Sequence, residues 1–471
     1  MPKTEIVNPN ISNFISSLRD IGYSFEVAVA DLIDNSITAQ CSAINVYTVA
    51  KPSPIFCLLD NGNGMTSDEL VEAMRLASKS PLDARQRDDL GRFGLGLKTA
   101  SFSQSRQLTV ISKKEGIISC RRWDLDFIST KNKWLLIEPE TCQDTPLYEN
   151  LKSLKSGTLV CWEKLDRIDK NDHSYTIDKL RKHLSLVFHK YLEGFEGRKA
   201  LKIVINENQI APFNPFNTAN PYTQELFVEK IKLHGSTIKI QPFILPHHSK
   251  LTQQEYNLYA TEEGYIKSQG FYLYRRNRIL IYGTWWGLHK ALDAHKLVRI
   301  KIDIENNIDT YWGIDIKKSI ARPSEEIRND LKRIISLATQ KGSRPYTGRG
   351  KKIEDKSIIH FWTIVPINNT LRFSINREHP LYQRFQNLLS KDKLELFEYY
   401  LKGVEAYLPL DAIQYNLQAN PHLIEQEIAL TNEDIGELMS AIKAANLPDE
   451  YIQALLQTEI FLNRDQQDYG L

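Results

Sequence analysis

Cysteine is scarce in this chain. Its 471 residues hold five, at positions 41, 57, 120, 142 and 161. None forms a CxxC pair, so no zinc site is signalled. Cys57 and Cys161 fall in apolar, strand-like runs and read as buried thiols. Long hydrophobic runs are also lacking: nothing approaches the ~20 apolar residues of a membrane helix. The opening Met1-Pro2-Lys3-Thr4-Glu5 has no apolar signal-peptide core. Together these features fit a reducing cytoplasm and no membrane. There is no repeat and no low-complexity segment. Neither sign of charge prevails, with 60 Lys and Arg against 58 Asp and Glu. That balance gives no support for nucleic-acid binding, yet it leaves room for a local basic face.

What is present is a soluble globular composition, 42% hydrophobic and 25% charged. The length predicts two or three domains. Three stretches stand out. Val27, Ala30, Leu32 and Ile33 recur at helical spacing. Asp31, Asp34 and Asn35 then share one helical face, which suits a hydrated Mg²⁺ with its hard oxygen ligands. The bland alternative is a solvated polar stripe. Next, Ile55-Phe56-Cys57-Leu58-Leu59 reads as a buried strand with Asp60 at its end. A carboxylate there can accept hydrogen bonds from an exocyclic amine such as that of adenine. Gly62 and Gly64 admit close approach of backbone to a flat ring, although Asp-Asn-Gly is also an ordinary turn signal. Third, Gly91-Arg92-Phe93-Gly94-Leu95-Gly96-Leu97-Lys98 is a glycine-rich loop that opens a helix. Its N–H groups can form an anion nest, with Lys98 as a mobile charge. It lacks the consecutive Gly-Lys-Ser/Thr of a Walker A loop.

In this order the three stretches resemble the GHKL ATPases, a group that includes gyrase-type topoisomerases, heat-shock chaperones, histidine kinases and MutL. The wording is most similar to MORC ATPases and their bacterial MutL-related relatives beside restriction–modification genes. The resemblance covers about residues 10–165 and is weaker to about residue 340. It implies an α+β fold: a GHKL (Bergerat) ATPase sandwich over 1–200, then a ribosomal-protein-S5-like transducer domain over 201–340. A basic linker at 341–356 and a mostly helical interaction module at 357–471 complete the expected organisation. It further implies that Asn35 holds Mg²⁺ and that Asp60 binds the adenine amine of ATP. Gly62, Gly64 and Met65 would shape the base pocket. Gly91, Arg92, Phe93, Gly94, Leu95, Gly96, Leu97 and Lys98 would wrap the phosphates, with Ala77–Leu90 as a lid. Thr158, in Ser156-Gly157-Thr158-Leu159-Val160, would sit near Asp60 and the base.

One position departs from the group. Asp31 stands where the family usually has the glutamate that activates water, and it is one methylene shorter. A general base must come within about 3 Å of its proton, or act through one water. By resemblance Asp31 is the base, and Lys317 or Lys318 is the transducer lysine that reaches the γ-phosphate. The implied function is a clamp in DNA metabolism or defence against foreign DNA: Mg²⁺-dependent ATP binding favours N-terminal homodimerisation, and slow hydrolysis reopens the dimer. DNA is the expected partner, with a partner nuclease or restriction–modification proteins. Two basic clusters, Arg275/Arg276/Arg278 and Arg344–Lys352, are the expected phosphate-backbone contacts. A protein chaperone and an ATP-binding scaffold with little turnover are the alternatives.

The remaining pattern predicts strands at 44–49, 55–59, 107–112, 117–123, 134–138 and 158–162, and a helix over 177–192. Gly270–Leu280 reads as strand, turn and strand. Residues 357–471 begin with two strands and continue as helices, with no catalytic constellation.

Overall fold

The computed structural model describes residues 5, 10–76, 96–168, 172–315, 321–342, 358–367, 370–419, 431–445 and 448–461. The described chain divides into two compact units. One comprises 1–245 with 259–339, the other 246–258 with 340–471.

The first unit opens with helices α1 (Ile11–Arg19) and α2 (Phe25–Thr38). Asn10 caps α1 through its side chain, and Ser24 caps α2 by accepting from the Val27 N–H, satisfying donors that a helix start leaves open. Strands β1 (Ala43–Val49) and β2 (Ile55–Asp60) follow. Next come α3 (Ser67–Met74), begun by a Thr66/Glu69 capping box, and α4 (Gly96–Gln104). Then come β3 (Ser105–Lys114), β4 (Ile117–Asp124), α5 (Leu125–Lys131), α6 (Tyr148–Ser153) and β5 (Gly157–Leu165). Helices α7 (His173–Val187) and α8 (His189–Glu193) lead to β6 (Lys202–Ile205) and β7 (Asn208–Gln209).

These strands form one sheet in the order β4-β3-β5-β2-β1-β6-β7. All its pairings are antiparallel except β1 with β6. Alternation along β2 divides the core between two faces. Phe56 and Leu58 meet α1, α2, α4 and α7 through Ile15, Val29, Ile33, Phe102, Leu180 and Leu184. Cys57 and Leu59 turn the other way, with Ile111, Leu159, Cys161 and Leu151 of α6. The two thiols read as buried are buried and face each other across β2 and β5. The segment 134–138 is not a strand: it touches the sheet by a single bridge from Ile137 to Arg122. Trp134 turns to pack edge-on against Phe14 and Trp123 instead, so its aromatic ring follows the helical layer.

A second sheet lies in the same unit. It contains β8 (Gln224–Glu225), β9 (Glu229–Leu233), β10 (Ser236–Ile244), β11 (Gly270–Arg275), β12 (Arg278–Thr284) and β13 (Val298–Ile304). Its path is β12-β11-β13-β10-β8, with β9 also on β10. Helix α7 serves both sheets. Leu180 and Leu184 enter the first core, while Leu186 joins Phe216, Phe243, Tyr272, Tyr274 and Ile279 in the second. Helix α9 (Glu325–Gly342) buries Ile327, Leu331, Ile334, Ile335 and Ala338, one face at helical spacing.

The second unit holds a hairpin of β14 (Trp362–Ile367) and β15 (Thr370–Ile375). It continues with α10 (Pro380–Leu388), α11 (Lys391–Ala406), α12 (Leu410–Ala419), α13 (Asn432–Ala444) and α14 (Asp449–Leu456). Ile435, Met439, Ile442, Leu455, Ile460 and Phe461 form its core. No helix among the described residues is long and apolar enough to cross a membrane.

Candidate functional site

β2 delivers Asp60 to the middle of the first sheet, paired with Ile44 on one side and Thr158 on the other. The carboxylate is 4% exposed. Ser36 Oγ donates to its Oδ2 at 2.8 Å, and the Gly62 N–H donates to its Oδ1 at 2.9 Å. Burial raises the Asp60 pKa, and the donors at Gly62, Ser36 and Thr158 oppose that rise. A carboxylate has more acceptor sites than these neutral donors fill, so it retains capacity for an amine.

Around Asp60 a set of hydroxyls fixes the turn. Ser112 Oγ accepts from the Met65 N–H at 2.8 Å and lies 3.0 Å from Thr158 Oγ1 and 3.1 Å from the Gly157 carbonyl. Ser156 Oγ donates to the Gly62 carbonyl at 2.7 Å. Gly64 has φ +67°, and a Cβ there would run into the Lys113 carbonyl. A Cβ at Gly157 would run into the Asp60 carbonyl. Both glycines are therefore required by close backbone approach.

Helix α2 links this pocket to a second set of groups. Ser36 faces Asp60, while Asp31 and Asp34 are 3% and 1% exposed. That rules out the solvated stripe. Tyr23 Oη donates to Asp31 Oδ2 at 3.0 Å. The Tyr23 pKa is raised, by burial first and then by Asp31. Asn35 differs from its neighbours in being exposed, so its side chain reaches open space from an otherwise buried helix. The glycine-rich loop ends beside Asp31: a Cβ on Gly96 would lie 3.9 Å from Asp31 Oδ2. Leu97 is half-buried. Lys98 points inward, 3% exposed, and Nζ donates to the Ala73 carbonyl at 2.9 Å. Burial lowers its pKa to about 8, against an opposing effect of Glu72.

The structure thus brings together Asp31, Asn35, Asp60, Gly62, Gly64, Met65, Gly96, Leu97, Lys98 and Thr158. Gly91, Arg92, Phe93, Gly94, Leu95, Lys317 and Lys318 lie outside the described residues, as do Ala77–Leu90 and the whole of Arg344–Lys352. The basic cluster at 275–278 needs correction. Arg275 and Arg278 are 2% and 3% exposed, and each meets a buried carboxylate. Arg275 Nη2 is 2.9 Å from Asp309 Oδ2, and Arg278 Nε is 2.8 Å from Asp34 Oδ1. Arg276 and Asn277 have φ of +53° and +69°, so a two-residue turn sets Arg275 opposite Arg278. Facing one another on the buried side, neither is available to a phosphate backbone. Sequence reasoning also missed Tyr23, Ser36 and Ser112. Ser36 was within reach, since it follows Asn35 directly. Ser112 carried no local signal, because its role depends on strand pairing.

The family described as "Histidine kinase-, DNA gyrase B-, and HSP90-like ATPase" matches residues 23–158. That span runs from Tyr23 to Thr158, the outermost members of the pocket. ATPase MORC2B of Mus musculus is 31% identical over 97 residues, 20% of this chain and 9% of that protein. ATPase morc-1 of Caenorhabditis elegans is 29% identical over 118 residues, 25% of this chain and 13% of its own length. This chain carries a MORC-like GHKL ATPase domain. A third relative, ATPase MORC2 of Homo sapiens, is 27% identical over 97 residues, 20% of this chain and 9% of that protein. The chain therefore spans only a small part of these relatives. In the MORC-like domain Asp31, Ser36, Asp60 and Thr158 are buried, while Asn35 is exposed and Gly96 half-buried.

Proposed function

We propose that the protein binds Mg·ATP in this pocket and hydrolyses it slowly. The observation that carries the reading is the buried Asp60 carboxylate, held by neutral donors and opposite Thr158, on the same helix support as Asp31 and Asn35. Asp60 would accept from the adenine amine. Lys98 would turn from Ala73 toward the phosphates. An exposed amide oxygen on α2 suits magnesium, a hard cation that prefers oxygen ligands. Mg²⁺ ordinarily keeps several waters and binds through one or two protein oxygens and substrate phosphates. Asn35, exposed on α2, would supply that oxygen. The bound ion would offset phosphate charge. Asp31, with Tyr23 donating to one oxygen, would orient and deprotonate the attacking water through the other.

The second sheet would act as the transducer, with Lys317 or Lys318 meeting the γ-phosphate. ATP would favour a closed homodimer, as in a MORC/MutL-like clamp acting in DNA metabolism or defence against foreign DNA. A ligand shifts such an equilibrium only by contacts absent from the open form. Partner nucleases or restriction–modification proteins would be its associates.

Mg·ATP binding and single-turnover hydrolysis, each with a DNA titration, test the reading. D60N and N35A should each lose nucleotide affinity. D31N should keep affinity and lose about 10²–10⁴ in rate, the usual contribution of a general base. Unchanged binding by both pocket variants would refute the assignment.

A further inference from the structure

Surface helices ordinarily turn an apolar stripe to the core and polar residues to water. Helix α11 of the second unit does the reverse. Carboxylates carry its inner face. Glu405 Oε1 accepts from the Ile375 N–H of β15 at 2.6 Å. Arg377 pairs with both Glu405 and Glu398, its Nη2 standing 3.2 Å from Glu398 Oε2. Tyr382 of α10 donates to Glu398 as well. These contacts hold α11 against β15 and α10. Among the described residues of α11, none is buried.

The apolar side chains stand on the opposite side. Leu396, Tyr399 and Tyr400, with Tyr407 at the helix end, recur at helical spacing and share one face. They are 73%, 65%, 68% and 86% exposed. Gly403 lies in the same stripe. A Cβ on it would meet nothing within 4 Å, so a second backbone can come close there. Phe397 extends the surface to Phe385 of α10, the two ring centres 5.6 Å apart. With Phe385 and Leu388, the four stripe residues present roughly 800 Å² to solvent, about what each partner gives to a standard-size interface. A monomer rarely leaves so large an apolar patch uncovered.

The flank of the stripe carries its own complement. Glu395 and Lys402 are both exposed, and a heptad apart they lie on one side of it. A second α11 run antiparallel sets each Glu395 against the partner's Lys402, so the same contact is made twice. We propose that α11 is a self-association face: two copies of this chain pair through the Leu396–Tyr407 stripe, antiparallel about a two-fold axis near Tyr399. The apolar area supplies the association, and the flanking charges set its direction. The contact belongs to the second unit and needs no nucleotide. It goes beyond the ATPase reading and does not rest on it.

The test is sedimentation equilibrium of the full chain without nucleotide, from sub-micromolar to tens of micromolar protein. The parent should pass from monomer to dimer as concentration rises, so dilute protein remains the monomeric starting point for any nucleotide effect. L396D/Y400D should stay monomeric throughout. E395K and K402E should each weaken pairing by about tenfold, because like charges then meet twice. Mixed in equal amounts, these two variants should pair with one another as tightly as the parent does with itself. The double variant E395K/K402E should regain self-pairing. All four positions are exposed, so the fold should be kept, and circular dichroism with thermal melting checks that. A parent that stays monomeric throughout would overturn the proposal and leave the stripe to another protein. An L396D/Y400D dimer would overturn it by placing the pairing elsewhere. Failure of E395K and K402E to pair in the mixture would overturn the antiparallel register. None of these outcomes bears on ATP binding at Asp60, whose failure is read in the nucleotide assays.

Discussion

Lys98 shows how much a single side chain's meaning depends on its surroundings. In the sequence it is a mobile cation at the end of a glycine loop. In the structure it is buried against the Ala73 carbonyl, and burial brings its pKa down to about 8 from 10.5. Between those values the unfolded chain holds a proton that the folded chain lacks. Stability attributable to this group therefore rises with pH across roughly pH 8 to 10.5. Nucleotide binding should run the other way. A phosphate beside Lys98 favours the ammonium, so above pH 8 the free protein must take up a proton on binding. Affinity should fall with pH there, and calorimetry at pH 8.5 in buffers of different ionisation heat should show proton uptake. K98M should remove both effects. Persistence of the uptake in K98M would assign it to another group.

At the scale of elements, the pocket is a product of strand pairing. β2 and β5 bring Asp60 to Thr158, and β3 brings Ser112 against both the Gly157–Thr158 step and the turn at Met65. The turn between β2 and α3 must pass close to β3, which is why position 64 has no room for a Cβ. Gly116, in the β3–β4 hairpin, offers a comparison. Its φ is +81°, but a Cβ there meets nothing within 4 Å. G116A should cost only the left-handed backbone penalty, about 1–2 kcal/mol. G64A incurs that penalty plus a backbone collision. It should be destabilised further in urea unfolding and should also bind ATP more weakly. Equal losses in the two variants would show that the turn has slack and does not shape the pocket.

At the scale of the whole molecule, the first unit contains both sheets and the helix that joins their cores, with Leu180 and Leu184 in one and Leu186 in the other. Under the proposed ATPase reading, α7 would link a change at α2 to the second sheet. If ATP favours a closed pair of such molecules, a non-hydrolysable analogue should raise the sedimentation coefficient from monomer to dimer. A two-fold arrangement is the commonest closed assembly. D60N should abolish the shift, because it lacks the nucleotide and not the interface. An identical oligomeric state with and without analogue would argue against a clamp.

The sequence by itself determined the parts that depend on neighbours along the chain. Apolar periodicity announced α2, the run Ile55–Leu59 announced β2, and the carboxylate at its end was readable as Asp60. Side-chain spacing in helices and strands is local, so such features survive without knowledge of the fold. Tertiary structure decided the partners. Four residues, Arg275 to Arg278, look like a basic surface patch in one dimension. Strand pairing and burial turn two of those arginines inward, onto Asp309 and Asp34. Ser112 acquired a role only when β3 came to lie beside β5, and Trp134 left its expected strand for the aromatic rings of Phe14 and Trp123. A buried charge needs a partner of opposite sign, and the chain supplies those partners 34 and 244 positions away from Arg275 and Arg278. No local pattern encodes that distance; packing does.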